Sequence, residues 1–289
     1  IIPLLEGEYA FLVMSKKYPE EIVAATYERP LILGVSKDKY VVGSSEIALV
    51  GLSDKVVELG DNEVVSINAN SVSCYKRTDS GWRKTDKKFR SISATDQDVS
   101  KGDFSTFLES EIFQQPETVK QALRGRMDES GELQISGLKP ETLDFLKSAS
   151  SITAVACGTS YHALLVAKMY FERYAKIRLD VELASEFQDR EPSIDVDSFL
   201  IALSQSGETA DTVRAVSYAK DHGAHVLAVT NCLSSQLVNK AHDAVSVQAG
   251  PEISVASTKA YTAQVITLFL LAIKAGVLNG AITSEKAKE

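Results

Sequence analysis

Residues 151–174 read SITAVACGTSYHALLVAKMYFERY. The run 152–156 is apolar and partly β-branched, a polar turn follows at Cys157-Gly158-Thr159-Ser160, and apolar residues then recur at helical spacing from Tyr161 to Tyr174. A strand that passes through a glycine-bearing turn into an amphipathic helix opens a βαβ unit. The alternation continues downstream. Strands are expected at 179–183, 199–203, 226–230 and 244–247, and helices at 210–220, 235–241 and 258–275, the last closed by Gly276 as a C-terminal cap. Strands and helices in this rhythm imply a parallel sheet with both faces covered, here a five-stranded, doubly wound, flavodoxin-like α/β domain.

The upstream texture differs. Short β-branched segments at 11–14, 22–25, 31–34, 40–42 and 64–67 read as strands, with 36–39 and 59–62 as hairpin turns and one short helix near 45–52. This predicts a mainly antiparallel, β-rich region. Residues 77–103 are polar, with Lys84, Lys87, Lys88 and Arg90 close together, and read as a solvated loop. Phe104, Phe107, Leu108 and Ile112 then follow helical spacing, and Pro116 opens a second helix through Val119 and Leu123. The expected organisation is a β-rich region over 1–100, a helical connector over 101–127 and the α/β domain over 128–289.

Composition narrows the function class. A length of 289 residues suits about two domains. With 31 Lys plus Arg against 39 Asp plus Glu the net charge is −8, which argues against a nucleic-acid binder, and Trp82 with its basic neighbours forms no stacking site. Cys74, Cys157 and Cys232 lie too far apart for a zinc or CxxC motif, and three cysteines cannot all pair, so a reducing cytoplasm is expected. The apolar run from Val265 to Ile273 is shorter than the roughly 18 residues of a membrane span. The chain begins Ile1-Ile2-Pro3, with Glu6 and Gly7 where a signal peptide would be apolar, and reads as a fragment or processed piece.

In a doubly wound sheet, ligands sit beyond the carboxyl ends of the strands where strand order reverses. With strand order 2-1-3-4-5, the turn at 157–160 and the turn Ser204-Gln205-Ser206-Gly207-Glu208-Thr209 face one crevice. Thr159, Ser160, Ser204, Ser206 and Thr209 bring hydroxyls, Gly158 and Gly207 allow close backbone approach, and each turn opens a helix whose first N–H groups attract an anion. Neither turn carries Lys or Arg. That chemistry fits a phosphate monoester or a phosphorylated sugar held by neutral donors. The competing reading is helix capping alone, since Ser or Thr before a helix is a common N-cap and Ser-x-x-Glu a capping box. Nucleotide binding is weaker, because neither G-x-G-x-x-G nor the Walker pattern occurs at these turns.

A third loop, 250–259, follows the fifth strand, with Ser257 the natural N-cap of the last helix and Val255 and Ala256 at the crevice rim. Glu208 and Glu252 are the nearby carboxylates, for which capping or loop hydrogen bonding is preferred over a general-base role. His162, His222, His225 and His242 pair with no Cys or acid at metal-ligand spacing, so no metal and no cofactor is expected.

At Ala156-Cys-Gly-Thr-Ser-Tyr161, Leu203-Ser-Gln-Ser-Gly-Glu-Thr-Ala-Asp-Thr212 and Glu252-Ile-Ser-Val-Ala-Ser-Thr-Lys-Ala260 the chain closely resembles the glutamine–fructose-6-phosphate aminotransferase (glucosamine-6-phosphate synthase) family, in the first of its two sugar-isomerase (SIS) domains. Leu108-Glu-Ser-Glu-Ile-Phe-Gln-Gln-Pro116 resembles the family's interdomain segment, and 9–75 the later part of its glutaminase domain, of Ntn-hydrolase type. The resemblance implies that Thr159, Ser160, Ser204, Gln205, Ser206 and Thr209 hold fructose 6-phosphate or glucosamine 6-phosphate, with Val255 touching the sugar by its main chain. It implies a cytoplasmic homodimer of amino-sugar biosynthesis, without nucleic-acid or membrane partners. It also implies that the glutaminase nucleophile lies upstream of residue 1 and the second SIS domain, with the isomerisation groups, beyond Glu289. No catalytic residue is then expected in this stretch, which alone would be inactive. The alternatives are a non-catalytic SIS module that senses a sugar phosphate, or a stand-alone sugar-phosphate isomerase with Glu208 or Glu252 as base.

Overall fold

The computed structural model describes residues 2–92, 99–128 and 130–289. Ile1 and residues 93–98 of the expected polar loop lie outside the described residues. The chain divides into two compact units, residues 1–100 and 101–289.

Among its described residues the first unit has nine strands: β1 (Tyr9–Ser15), β2 (Tyr18–Tyr27), β3 (Ile32–Val35), β4 (Tyr40–Gly43), β5 (Lys55–Glu58), β6 (Glu63–Asn68), β7 (Ser71–Thr78), β8 (Gly81–Thr85) and β9 (Arg90–Ser91). They form two antiparallel sheets, ordered β1-β2-β6-β7-β8 and β4-β3-β5-β9. Ala24, Leu33, Val57 and Val65, from four strands of the two sheets, share one core. The helix expected near 45–52 is a single 3-10 turn, Ile47–Leu49.

Two expectations need correction here. The polar stretch from Arg77 contains β8 and β9. β8 is exposed along nearly its whole length at a sheet edge, so burial imposed no apolar alternation on its sequence. Residues 59–62 do not close a hairpin: they carry the chain from β5 in one sheet to β6 in the other, with Leu59 buried and its N–H bonded to Leu31 O at 2.9 Å. Residues 36–39 do close the β3–β4 hairpin, through Ser36 N–H to Lys39 O at 3.0 Å.

The second unit begins with α1 (Phe107–Phe113), α2 (Gln115–Leu123) and α3 (Pro140–Ser148). It continues as β10 (Ser151–Ala156), α4 (Gly158–Tyr170), β11 (Arg178–Leu183), α5 (Ala184–Phe187), β12 (Phe199–Ser204), α6 (Ala210–Asp221), β13 (His225–Thr230), α7 (Gln236–Lys240), β14 (Asp243–Ser246), α8 (Lys259–Leu278) and α9 (Ser284–Lys288). All sheet pairings are parallel and the order is β11-β10-β12-β13-β14, the 2-1-3-4-5 arrangement expected. Successive strand residues point to opposite faces. Ala154, Ala156, Ile201 and Leu203 join α4 and α8 on one side, and Val155, Leu200 and Ala202 join α5, α6 and α7 on the other. β12 is buried at all six residues, as the centre of such a sheet must be.

Gly276 does not cap α8; the helix runs on to Leu278. A Cβ at 276 would overlap the Tyr174 carbonyl, so this glycine serves close packing against the turn Phe171–Ala175 that ends α4, and the left-handed glycine is Gly280 (φ +78°). α8 is long and apolar enough to cross a membrane, but 56% of that apolar window is buried inside the protein, where it packs on α4, α2 and α3. Its apolarity is that of a core helix.

Candidate functional site

β10 and β12 are neighbours at the point where strand order reverses, with Val155 paired to Ala202. Continuing that register two residues sets Cys157 beside Ser204. The turns after these strands therefore leave the sheet side by side, from the same edge, and each leads into a helix of three turns or more.

Cys157 and Thr209, the residues before α4 and α6, make no side-chain cap hydrogen bond. The two glutamates do close helices, but other ones. Glu252 Oε1 accepts from the N–H groups of Thr258 (2.8 Å) and Ala260 (3.1 Å) at the start of α8, and Glu208 Oε1 accepts from Gln236 N–H (2.9 Å) at the start of α7. Ser257, the expected cap of α8, makes no such bond. The cap position is Thr258, and the longer reach of Glu252 does the work instead. Glu208 and Glu252 thus meet the positive ends of α7 and α8, while the first turn of α4 carries no acidic residue and that of α6 carries Asp211, which pairs with Arg214.

The hydroxyls are oriented. Ser160 is buried and its Oγ accepts from Gln264 Nε2 at 2.9 Å. Ser204, 2% exposed, accepts from Gly207 N–H at 3.0 Å and lies 3.1 Å from Thr209 Oγ1. Ser206 is exposed and accepts from Glu208 N–H at 3.1 Å. A hydroxyl that already accepts from an N–H keeps its own hydrogen to donate. Thr159 is exposed at the mouth of α4. Gln205 is half-buried, and its carbonyl accepts from Asn231 N–H (3.1 Å) and Thr230 Oγ1 (3.3 Å), which fixes the middle of the second turn to the end of β13. Val255 stands apart, fully exposed on the third loop, with no bond tying it to either turn.

Three supporting residues escaped the sequence reading. Gln264 is a fully buried amide on a mainly apolar helix, which is itself a signal. Asn231 joins the second turn to the third loop, since its side chain donates to Gly250 O (2.7 Å) and accepts from Ala249 N–H (2.9 Å). Glu111 of α1 is buried against the third loop. Among the described residues no cluster of His, Cys, Asp or Glu is arranged to hold a metal, and all three cysteines are free thiols.

Residues 145–274 match the SIS domain family. The sheet of the second unit is that of a SIS domain. Over its full length the chain is 37% identical to a glutamine–fructose-6-phosphate aminotransferase (isomerizing) of Caldanaerobacter subterraneus, covering 47% of that protein. It is 38% identical over 93% of its length to the enzyme of the same name from Chlorobaculum tepidum, covering 43% of it. Among solved structures, the C-terminal domain of glucosamine-fructose-6-phosphate aminotransferase from Francisella tularensis superposes with a TM-score of 0.62 at 34% identity, over 65% of this chain and 53% of that one. The chain spans about half the length of the curated relatives it matches. The similarity covers the β-rich unit as well as the SIS domain.

Proposed function

We propose that this chain is part of an enzyme that makes glucosamine 6-phosphate from fructose 6-phosphate and glutamine, and that its SIS domain is the sugar-phosphate clamp. The observation that carries the proposal is the pair of helix starts without a side-chain cap, α4 and α6, side by side at the reversal point and fringed by hydroxyls, of which those of Ser160, Ser204 and Ser206 each accept a bond from an N–H. Thr159, Ser160, Ser204, Gln205, Ser206 and Thr209 form the phosphate cradle. First-turn N–H groups and hydroxyl hydrogens neutralise the phosphate without a cationic side chain. Val255 closes the rim by its main chain on the sugar. The clamp orients the sugar for chemistry done by groups other than its own.

Glu208 and Glu252 each commit an oxygen to a helix start, which supports a binding role over proton transfer by either. Purified chain incubated with fructose 6-phosphate in heavy water is expected to catalyse no exchange of carbon-bound hydrogen. Steady exchange would favour the stand-alone isomerase. Ser204→Ala and Ser206→Ala, measured by calorimetry, are each expected to weaken fructose 6-phosphate about tenfold; unchanged affinity in both defeats the clamp. The cytoplasm suits three free thiols. Homodimerisation through the α4 face is part of the same proposal, with Leu165 and Met169 exposed there.

A further inference from the structure

Glu111 is a carboxylate only 3% exposed, on the connector helix α1, far in sequence from either phosphate turn. A buried carboxylate needs donors, and among the described residues those of this one come from the third loop. Oε1 accepts from Ile253 N–H at 2.5 Å and from Ser254 N–H at 3.2 Å; Oε2 lies 3.3 Å from the same Ser254 nitrogen and accepts from the Ser254 hydroxyl. Ser254 Oγ is also 3.0 Å from Ala256 O. The next residues of the connector face the same way: Gln114 Oε1 accepts from Lys259 Nζ (2.7 Å) and Gln115 Oε1 from Thr262 Oγ1 (2.6 Å).

The rim is therefore fixed from two sides. Glu252 holds its far end to α8, Glu111 holds its middle to α1, and between these anchors Val255 and Ala256 project into solvent. A loop with two exposed apolar residues at its tip has little packing there to define its shape, so the hydrogen bonds to Glu111 on one side and Glu252 on the other define it. We infer that Glu111 is a positioning residue for sugar recognition: it sets the main chain of 253–256 against the sugar, and so makes the connector helix part of the binding site. This rests on the clamp reading above, and it separates the two ends of the ligand. The phosphate is gripped by the turns after β10 and β12, and the sugar by a rim that depends on Glu111.

The test titrates the chain and its Glu111→Gln variant with fructose 6-phosphate and, separately, with inorganic phosphate, which fills the cradle without reaching the rim. Glu111→Gln is expected to weaken fructose 6-phosphate roughly tenfold while leaving inorganic phosphate unchanged, and to speed amide hydrogen exchange at Ile253 and Ser254. A purely structural role would move both affinities together. Equal losses for both ligands, no loss for either, or unchanged exchange at Ile253 and Ser254 overturns the inference. So does a parent chain that binds fructose 6-phosphate no better than phosphate. If the parent chain binds neither ligand, the clamp reading itself fails and this inference falls with it. If Glu111→Gln does not fold, Ser254→Ala, which removes only the hydroxyl arm, takes its place under the same criteria.

Discussion

Gln264 of α8 donates from Nε2 to Ser160 Oγ at 2.9 Å, with both side chains buried. This bond joins the longest core helix to the first turn of the phosphate cradle. It occupies one acceptor position of Ser160 and leaves the hydroxyl hydrogen for another acceptor. Among the described residues Gln264 Oε1 has no hydrogen-bond partner, so the amide serves the hydroxyl more than the core.

Replacing Gln264 by Met keeps the volume and removes both the donor and the orphaned oxygen. Stability measured by urea unfolding is expected to change by less than about 1.5 kcal/mol. Affinity for fructose 6-phosphate is expected to fall roughly threefold, as Ser160 loses its orientation. A stability loss above about 3 kcal/mol, or undiminished affinity, would contradict this division of roles.

The two cradle glycines should respond differently to alanine. Gly158 (φ +58°) faces open space, so Gly158→Ala carries only left-handed backbone strain, about 1–2 kcal/mol. Gly207 (φ +69°) adds overlap with the Ser235 hydroxyl and is expected to lose about 1–3 kcal/mol more. Equal losses in urea unfolding would show that Ser235 gives way freely.

At the opposite edge of the sheet, α3 is held by Asp243, which accepts from Lys139 N–H (2.7 Å), pairs with Lys139 Nζ (2.9 Å) and accepts from the Thr142 hydroxyl. Burial pushes the Asp243 carboxyl up, but bonds from Thr142 and Lys139 outweigh it and hold the carboxyl below its ordinary value. Burial, then the neighbouring His242, push His225 down, against the opposing pull of Asp243 and Glu141; burial, then Lys220 and Lys139, push His242 down, against Asp243. His242 Nδ1 accepts from Val226 N–H at 3.0 Å, a bond that a proton on Nδ1 would end.

A base whose folded value lies below its unfolded one gives stability that is complete above the unfolded value, about 6.5, and lost as pH falls below it. The Asp243 share persists to lower pH and is lost below about 3.9. Urea unfolding is therefore expected to show lower stability at pH 5.5 than at pH 7.5. His242→Asn, whose side-chain oxygen can replace Nδ1 as acceptor, should reduce that difference, with the share of His225 that comes from burial remaining. A pH dependence that survives the substitution intact would place its origin elsewhere.

Much of this architecture was legible because the α/β half obeys a strong rule. Its strands are buried on both faces, so 152–156 and 199–203 had to be apolar runs, and the βαβ rhythm implied parallel pairing, while the order 2-1-3-4-5 is not fixed by rhythm alone. β8 was missed because an exposed edge strand such as Gly81–Thr85 needs no apolar alternation, and Gly276 was misread because a helix-packing glycine looks like a cap. The cradle hydroxyls were readable as residues, but not their orientation. Gln264, Asn231 and Glu111 act over separations of 104, 18 to 26 and 142 to 143 residues, which local pattern cannot reach.

The most direct measurement is an amide NMR titration of the chain with fructose 6-phosphate. If one cradle grips the phosphate, the amides of Thr159 and Ser160 on one turn and of Ser206 and Gly207 on the other shift together along a single saturation curve. Shifts confined to one turn, or saturation at different ligand concentrations for the two, would contradict a shared phosphate site.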